Sequence, residues 1–225
     1  DPSMVAAIMM EPIQGEGGFV VPPIEWLKYV REVCDKHGIM LIFDEVQSGF
    51  GRTGSLYAWQ TFGVEPDIFT SAKAIAGGLP LSAVFGKKEI MDKWAAGAHG
   101  GTFGGNPVSC AAALAVLEEL YEGGILENVK KMGEVVRAKM RELQKKYPVI
   151  GDVRGVGLMN AMEFVNPADN APDGKFCSAV MAECLKRDLF LLCCGADHNN
   201  IRLLPALNVD EPTINKVFEI LDASI

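Results

Sequence analysis

The chain has 225 residues, 49% of them hydrophobic, enough for one large core or two smaller ones. A net charge of −8, with basic residues scattered rather than clustered, argues against a nucleic-acid surface. No apolar run approaches the ~20 residues a membrane-spanning helix needs, and Asp1-Pro2-Ser3-Met4 carries no signal-peptide pattern.

Val5 to Met10 is a short apolar run closed by Glu11-Pro12, the pattern of a buried strand. Pro22-Pro23 opens a helix from Ile24 to His37, in which Trp26, Leu27, Val30, Val33 and Cys34 recur at helical spacing until Gly38 stops it. Ile39 to Phe43 is a second buried strand and delivers Asp44 at its end. Asp67 to Thr70 and Leu81 to Phe85 are further strands, the first leading into the loop that holds Lys73. Continuous apolar strands in strand–helix–strand order predict an α/β fold, a mostly parallel sheet flanked by helices.

Asn106-Pro107 starts a long helix that Gly123-Gly124 ends, and a second helix runs from Leu126 to Lys146. Arg154 to Phe164 reads as a strand and Phe176 to Lys186 as a helix. Leu189 to Cys193 and Ile201 to Leu204 are strands, and Glu211 to Leu221 is the closing helix. Asn166 to Lys175, rich in Pro, Asp and Asn, is an exposed loop. The expected division is a large domain over residues 1–127 and a small α+β C-terminal domain over 128–225.

Six cysteines form no Cys-x-x-Cys pair and no Cys/His metal spacing, and His37, His99 and His198 lie far apart, so no metal site is expected. Adjacent Cys193 and Cys194 read as small apolar residues on a strand, pointing opposite ways. That usage suits a reducing compartment, the cytoplasm or a mitochondrial matrix.

The chemistry concentrates in a few residues. An acid at the end of a buried strand, Asp44, can keep a pyridine nitrogen protonated; buried without a partner it would cost several kcal/mol. Lys73 lies among Ala72, Ala74, Ile75, Ala76 and Gly77-Gly78, an apolar loop in which an amine can form an imine with an aldehyde. Pyridoxal chemistry needs those two groups on opposite sides of one ring. Thr102 sits in a glycine-bracketed turn, where amides and a hydroxyl can bind phosphate. Arg202, in the apolar strand Ile201-Arg202-Leu203-Leu204, must find an anion, and its fork suits a carboxylate. Gly49-Phe50-Gly51-Arg52-Thr53-Gly54 fits a dinucleotide fingerprint, but Asp44 and Glu45 intervene between strand and glycine, and acids there would repel a pyrophosphate.

Asp44-Glu45-Val46-Gln47-Ser48-Gly49-Phe50-Gly51-Arg52-Thr53-Gly54, the Lys73 segment and Gly101-Thr102-Phe103-Gly104-Gly105-Asn106-Pro107 resemble the signature segments of class III aminotransferases, pyridoxal-phosphate enzymes of fold type I. Glu11-Pro12-Ile13-Gln14-Gly15-Glu16-Gly17-Gly18 and Cys194-Gly195…Ile201-Arg202-Leu203 sharpen the resemblance toward 4-aminobutyrate aminotransferases. It implies pyridoxal 5'-phosphate on Lys73, with Asp44 at the ring nitrogen and Gln47 at the ring oxygen. Thr102 then reaches the phosphate of a neighbouring subunit, so a homodimer with a shared active site follows. Arg202 takes the α-carboxylate of 2-oxoglutarate or glutamate. Glu16 pairs with Arg202 when an ω-amino substrate has no such carboxylate, the alternative being a permanent salt bridge. Glu11 lines the site. The partners implied are amino-acid and 2-oxo-acid substrates, with no nucleic acid and no membrane.

A class III aminotransferase is expected to have a long N-terminal half with a Gly/Ser phosphate loop, and none precedes Glu11. The chain reads as a C-terminal portion. The expected reaction is amino transfer from 4-aminobutyrate or 5-aminovalerate to 2-oxoglutarate. Acetylornithine or ornithine aminotransferase is an alternative, mutase or decarboxylase chemistry stays open, and the chain as given could be a non-catalytic fragment.

Overall fold

A computed structural model describes residues 1–225, which divide into two units. The first comprises Asp1–Pro12, Pro22–Gly51 and Ser55–Ile125; the second comprises Ile13–Val21, Arg52–Gly54 and Leu126–Ile225. Two short early segments therefore fold with the later unit, which the sequence reading did not foresee.

In the first unit, β1 (Ala7–Met10), β2 (Met40–Asp44), β3 (Ile68–Ser71) and β4 (Ala83–Gly86) form one sheet in that order. β1, β2 and β3 run parallel and β4 antiparallel to β3. The reversal follows from the connection, which holds only a one-turn 3-10 helix, Lys73–Ala76, too short to return the chain for a parallel strand. Between β1 and β2, α1 (Ile24–His37) starts after Pro23 and stops at Gly38, whose φ of 67° places it in the left-handed region. Leu27 and Cys34 are its buried residues, while Trp26, expected on the apolar stripe, is exposed. Three further helices, α2 (Ala58–Phe62), α3 (Lys88–Met91) and α4 (Pro107–Glu122), complete the unit. The first two are too short to leave a periodic signal in sequence. Asn106 caps α4, its Oδ1 accepting from Val108 N at 2.9 Å.

Asp67 ties this unit together. Its carboxylate accepts from Lys87 Nζ at 2.6 Å, Leu41 N at 2.8 Å and Arg31 Nη1 at 2.9 Å. Burial alone would push the carboxyl up, but these three donors outweigh it and hold Asp67 below the usual carboxylate range.

The second unit is built on β5 (Ile150–Val156), β6 (Met159–Phe164), β7 (Leu192–Cys194) and β8 (Asn200–Leu203), antiparallel throughout, in the order β5-β6-β8-β7. Helices α5 (Ile125–Lys146), α6 (Gly174–Leu185) and α7 (Glu211–Asp222) accompany it. Fully buried Met162 and Ile201 share one face of the sheet, and Val136, Met140, Val180 and Leu221 of the helices are buried with them. The segment Arg154–Phe164 is thus not one strand but a hairpin. Gly157, at φ 56°, turns it, and a Cβ there would stand 2.5 Å from Arg52 O. Arg52 in turn donates to Pro205 O at 2.6 Å and Leu158 O at 3.3 Å. Burial lowers its guanidinium to about 10.

All six cysteines are free thiols, and burial pushes Cys177 up to about 12 and Cys194 up to about 11. No helix is long and apolar enough to cross a membrane.

α5 meets the hairpin at Gly133, where a Cβ would stand 2.2 Å from Gly157 O. Gly133→Ala should therefore cost about 1–3 kcal/mol, read as a lower urea midpoint; an unchanged midpoint would contradict the close packing. For Asp67, the folded value lies below the unfolded 3.8, so its contribution is present above that pH and is lost as pH falls through the folded value. Asp67→Asn should lower stability at neutral pH and flatten the loss as pH falls below 3.8, measured by denaturation at stepped pH.

Candidate active site

Parallel strands end side by side, about 4.8 Å apart, and ligands of open α/β sheets gather at those C-terminal ends. Here Glu11 follows β1, Asp44 is the last residue of β2, and Lys73 comes two residues after β3. The register aligns Met10 with Phe43 and Asp44 with Thr70. Three of the expected residues are therefore brought to neighbouring strand ends in the first unit.

Asp44 is half-buried, on the opposite face of β2 from fully buried Leu41 and Phe43. Its Oδ1 accepts from Val46 N at 3.0 Å and from Thr70 Oγ1 at 3.2 Å. Oδ2 takes neither bond and can face a cation. Lys73 opens the 3-10 turn with a φ of 48°, a backbone state costly for a residue with a side chain. The turn is pinned by buried Ile75 and Ala76 and released through Gly77 (φ 59°) and Gly78 (φ 112°), while Lys73 itself is exposed. Strain of this kind at an amine marks a position held for a purpose other than packing.

Gln47 lies half-buried in the loop after Asp44. That loop is held by Glu45, which is 1% exposed. Its carboxylate accepts from Ser48 Oγ at 2.5 Å, Trp59 N at 2.8 Å and Ala58 N at 3.0 Å, capping α2. Burial pushes the Glu45 carboxyl up, and the three bonds only partly offset it. Sequence reasoning missed both Glu45 as anchor and Thr70 as the donor that orients Asp44. Neither carries a local signal, since their partners lie on other elements.

Thr102 is exposed in the turn ahead of α4, where Gly104 N donates to Gly101 O at 3.3 Å. In the second unit Arg202, on β8, pairs through Nη1 with Glu16 Oε1. The arginine side chain is 14% exposed and the glutamate 70%. Arg202 Nε is buried without a hydrogen-bond partner. The dinucleotide-like glycines serve packing: a Cβ on Gly49 would stand 2.7 Å from Glu45 O, and one on Gly54 would stand 2.6 Å from Lys130 Cγ.

Known proteins resemble this chain along nearly its whole length. The model of the family Aminotransferase class-III matches residues 2–225. A 5-aminovalerate aminotransferase of Pseudomonas putida is 47% identical over 222 residues, 99% of this chain and 52% of that protein. A 4-aminobutyrate aminotransferase of Escherichia coli is 44% identical over 221 residues, 98% of this chain and 52% of its own. An acetylornithine aminotransferase of Clostridium acetobutylicum is 43% identical over 224 residues, 99% of this chain and 55% of its own. Among solved structures, a Bacillus anthracis aminotransferase has a TM-score of 0.93 at 35% identity, covering 100% of this chain and 53% of that one. An amine transaminase from an uncultivated Pseudomonas species, solved in its PLP-bound form, has a TM-score of 0.89 at 35% identity, covering 97% and 51%. The chain spans about half the length of the curated relatives it matches. Its fold is the corresponding part of the pyridoxal-phosphate fold type I, and the chain belongs to the class III aminotransferases.

Proposed function

We propose that the whole protein transfers an amino group from an ω-amino acid, 4-aminobutyrate or 5-aminovalerate, to 2-oxoglutarate, using pyridoxal phosphate. The observation that carries this reading is the placement of Asp44 and Lys73 at the ends of adjacent parallel strands. The residues fit the cofactor: one carboxylate oxygen of Asp44 is committed to Val46 and Thr70, and the other is left for a ring N–H. Lys73 presents an exposed amine on a strained turn.

Pyridoxal phosphate, when bound, supplies an aldehyde and an electron-withdrawing ring. Asp44 would keep the ring nitrogen protonated through a charge-assisted hydrogen bond. Lys73 would hold the cofactor through its Nζ and, once freed by the incoming amine, carry the proton removed from the substrate carbon. Gln47 would donate to the ring oxygen, and Thr102 would bind phosphate across a homodimer. Glu11 would line the same edge of the first sheet.

Arg202 would take the α-carboxylate of the acceptor. Its buried, unpartnered Nε supports that role, because that N–H lies on the guanidinium edge away from the Nη1 paired to Glu16 and is open to a further carboxylate oxygen. Glu16 would return to Arg202 when the substrate has no α-carboxylate. A second reading, with N-acetylornithine as donor, is supported by the Clostridium relative and by the same Arg202–Glu16 pair.

A screen of amino donors with 2-oxoglutarate on the full-length protein, followed as glutamate formed, tests the reading. Turnover of 4-aminobutyrate or 5-aminovalerate is expected; turnover of N-acetylornithine alone would overturn it. In the same assay Lys73→Ala should lose at least about 10³-fold in activity while unfolding normally. Retained turnover would remove the role assigned to Lys73.

A further inference from the structure

The antiparallel sheet of the second unit carries two arginines on one face. Arg154 of β5 stands opposite Ala161 of β6, and Ala161 stands opposite Arg202 of β8. Residues directly opposite in antiparallel strands point to the same side. Two residues along, Asp152, Glu163 and Asn200 form the next row of that face. Ala161, fully buried and short, leaves room on this face for a long side chain on either side.

The arginines are compensated in different ways. Arg154 donates from Nη1 to Glu163 Oε2 at 2.5 Å and Asp152 Oδ2 at 2.7 Å, and from Nη2 to Asn200 Oδ1 at 2.6 Å. Its Nε donates to Gly18 O at 2.9 Å. Arg202 instead pairs with Glu16 and keeps Nε without a partner. Gly18 lies two residues from Glu16 in the same turn, which Gly18 N closes on Gly15 O at 3.1 Å. At φ 120° Gly18 adopts a backbone that side chains disfavour, and a Cβ on it would stand 3.3 Å from Arg154 Nη2. The other side of the turn is held by Gly195 N, which donates to Glu16 O at 2.8 Å.

We propose that Arg154 is a positioning residue for substrate discrimination: it grips Gly18 and occupies Glu163 and Asp152, so that Glu16 is presented to Arg202. The main chain of the turn is fixed, and the Glu16 side chain, 70% exposed, reaches from it to Arg202. That arrangement suits a carboxylate that must leave when a substrate α-carboxylate arrives and return when none does. The proposal rests on the Arg202–Glu16 exchange put forward above.

The test is Arg154→Met and Arg154→Lys in the full-length enzyme, with the two half-reactions measured separately by rapid mixing. In Arg154→Met the ω-amino donor half should lose at least about tenfold in specificity constant, while the 2-oxoglutarate half stays within about threefold. Arg154→Lys, which keeps a donor for Gly18 O, should recover part of the donor half. Hydrogen exchange at Gly18 and Phe19 should quicken in Arg154→Met. Equal losses in both halves, or unchanged exchange at those amides, would overturn the proposal. Failure of the underlying reading would look different: the unaltered enzyme would show no ω-amino turnover at all, which removes the assignment to discrimination.

Discussion

The parallel pairing of β2 with β3 decides where the chemistry of the first unit can sit. A register that sets Asp44 beside Thr70 puts a carboxylate and a lysine-bearing turn at one sheet edge. Because side chains alternate along a strand, slipping β2 by one residue would turn Asp44 onto the face that now holds Leu41 and Phe43. The fully buried aromatic ring of Phe43 guards against that slip. The Thr70 hydroxyl and Val46 amide then fix which carboxylate oxygen remains available.

Two buried acids at opposite ends of this sheet show how the partner set decides the state of a carboxylate. Asp67 receives an ammonium, a guanidinium and an amide, which outweigh burial, so it is held low and stays ionised. Glu45 receives a hydroxyl and two amides, which do not outweigh burial, so it is pushed up. The first acid ties α1, β2 and the start of α3 to one charge. The second holds the loop that carries Gln47. Neither presents a nucleophile: Asp67 fixes the starting ends of β2 and β3, and Glu45 fixes the loop that follows Asp44.

Much of this was legible in the residues. Helix α1 ends where Pro23 and Gly38 say it should, and apolar runs closing on Glu11 and Asp44 mark strand ends. The small apolar neighbours of Lys73 announced an unusual lysine before its strained backbone was visible. What stayed hidden depends on partners distant in sequence. The hairpin within Arg154–Phe164 was missed because Gly155 and Gly157 both sit in a run that alternates like one strand. The membership of 13–21 and 52–54 in the second unit rests on Arg154, Arg52 and Gly195, none of which has a local signature. Short α2 and α3 form under tertiary contacts rather than from their own periodicity.

In the proposed function, one amine and one carboxylate at the ends of β3 and β2 grip a single aldehyde cofactor. Borohydride reduction of the full-length enzyme loaded with pyridoxal phosphate, followed by peptide mapping, tests it most directly. One stable cofactor adduct per chain is expected, on Lys73, with looser cofactor retention before reduction in Asp44→Asn. An adduct on another lysine, or retention indifferent to Asp44, would contradict it.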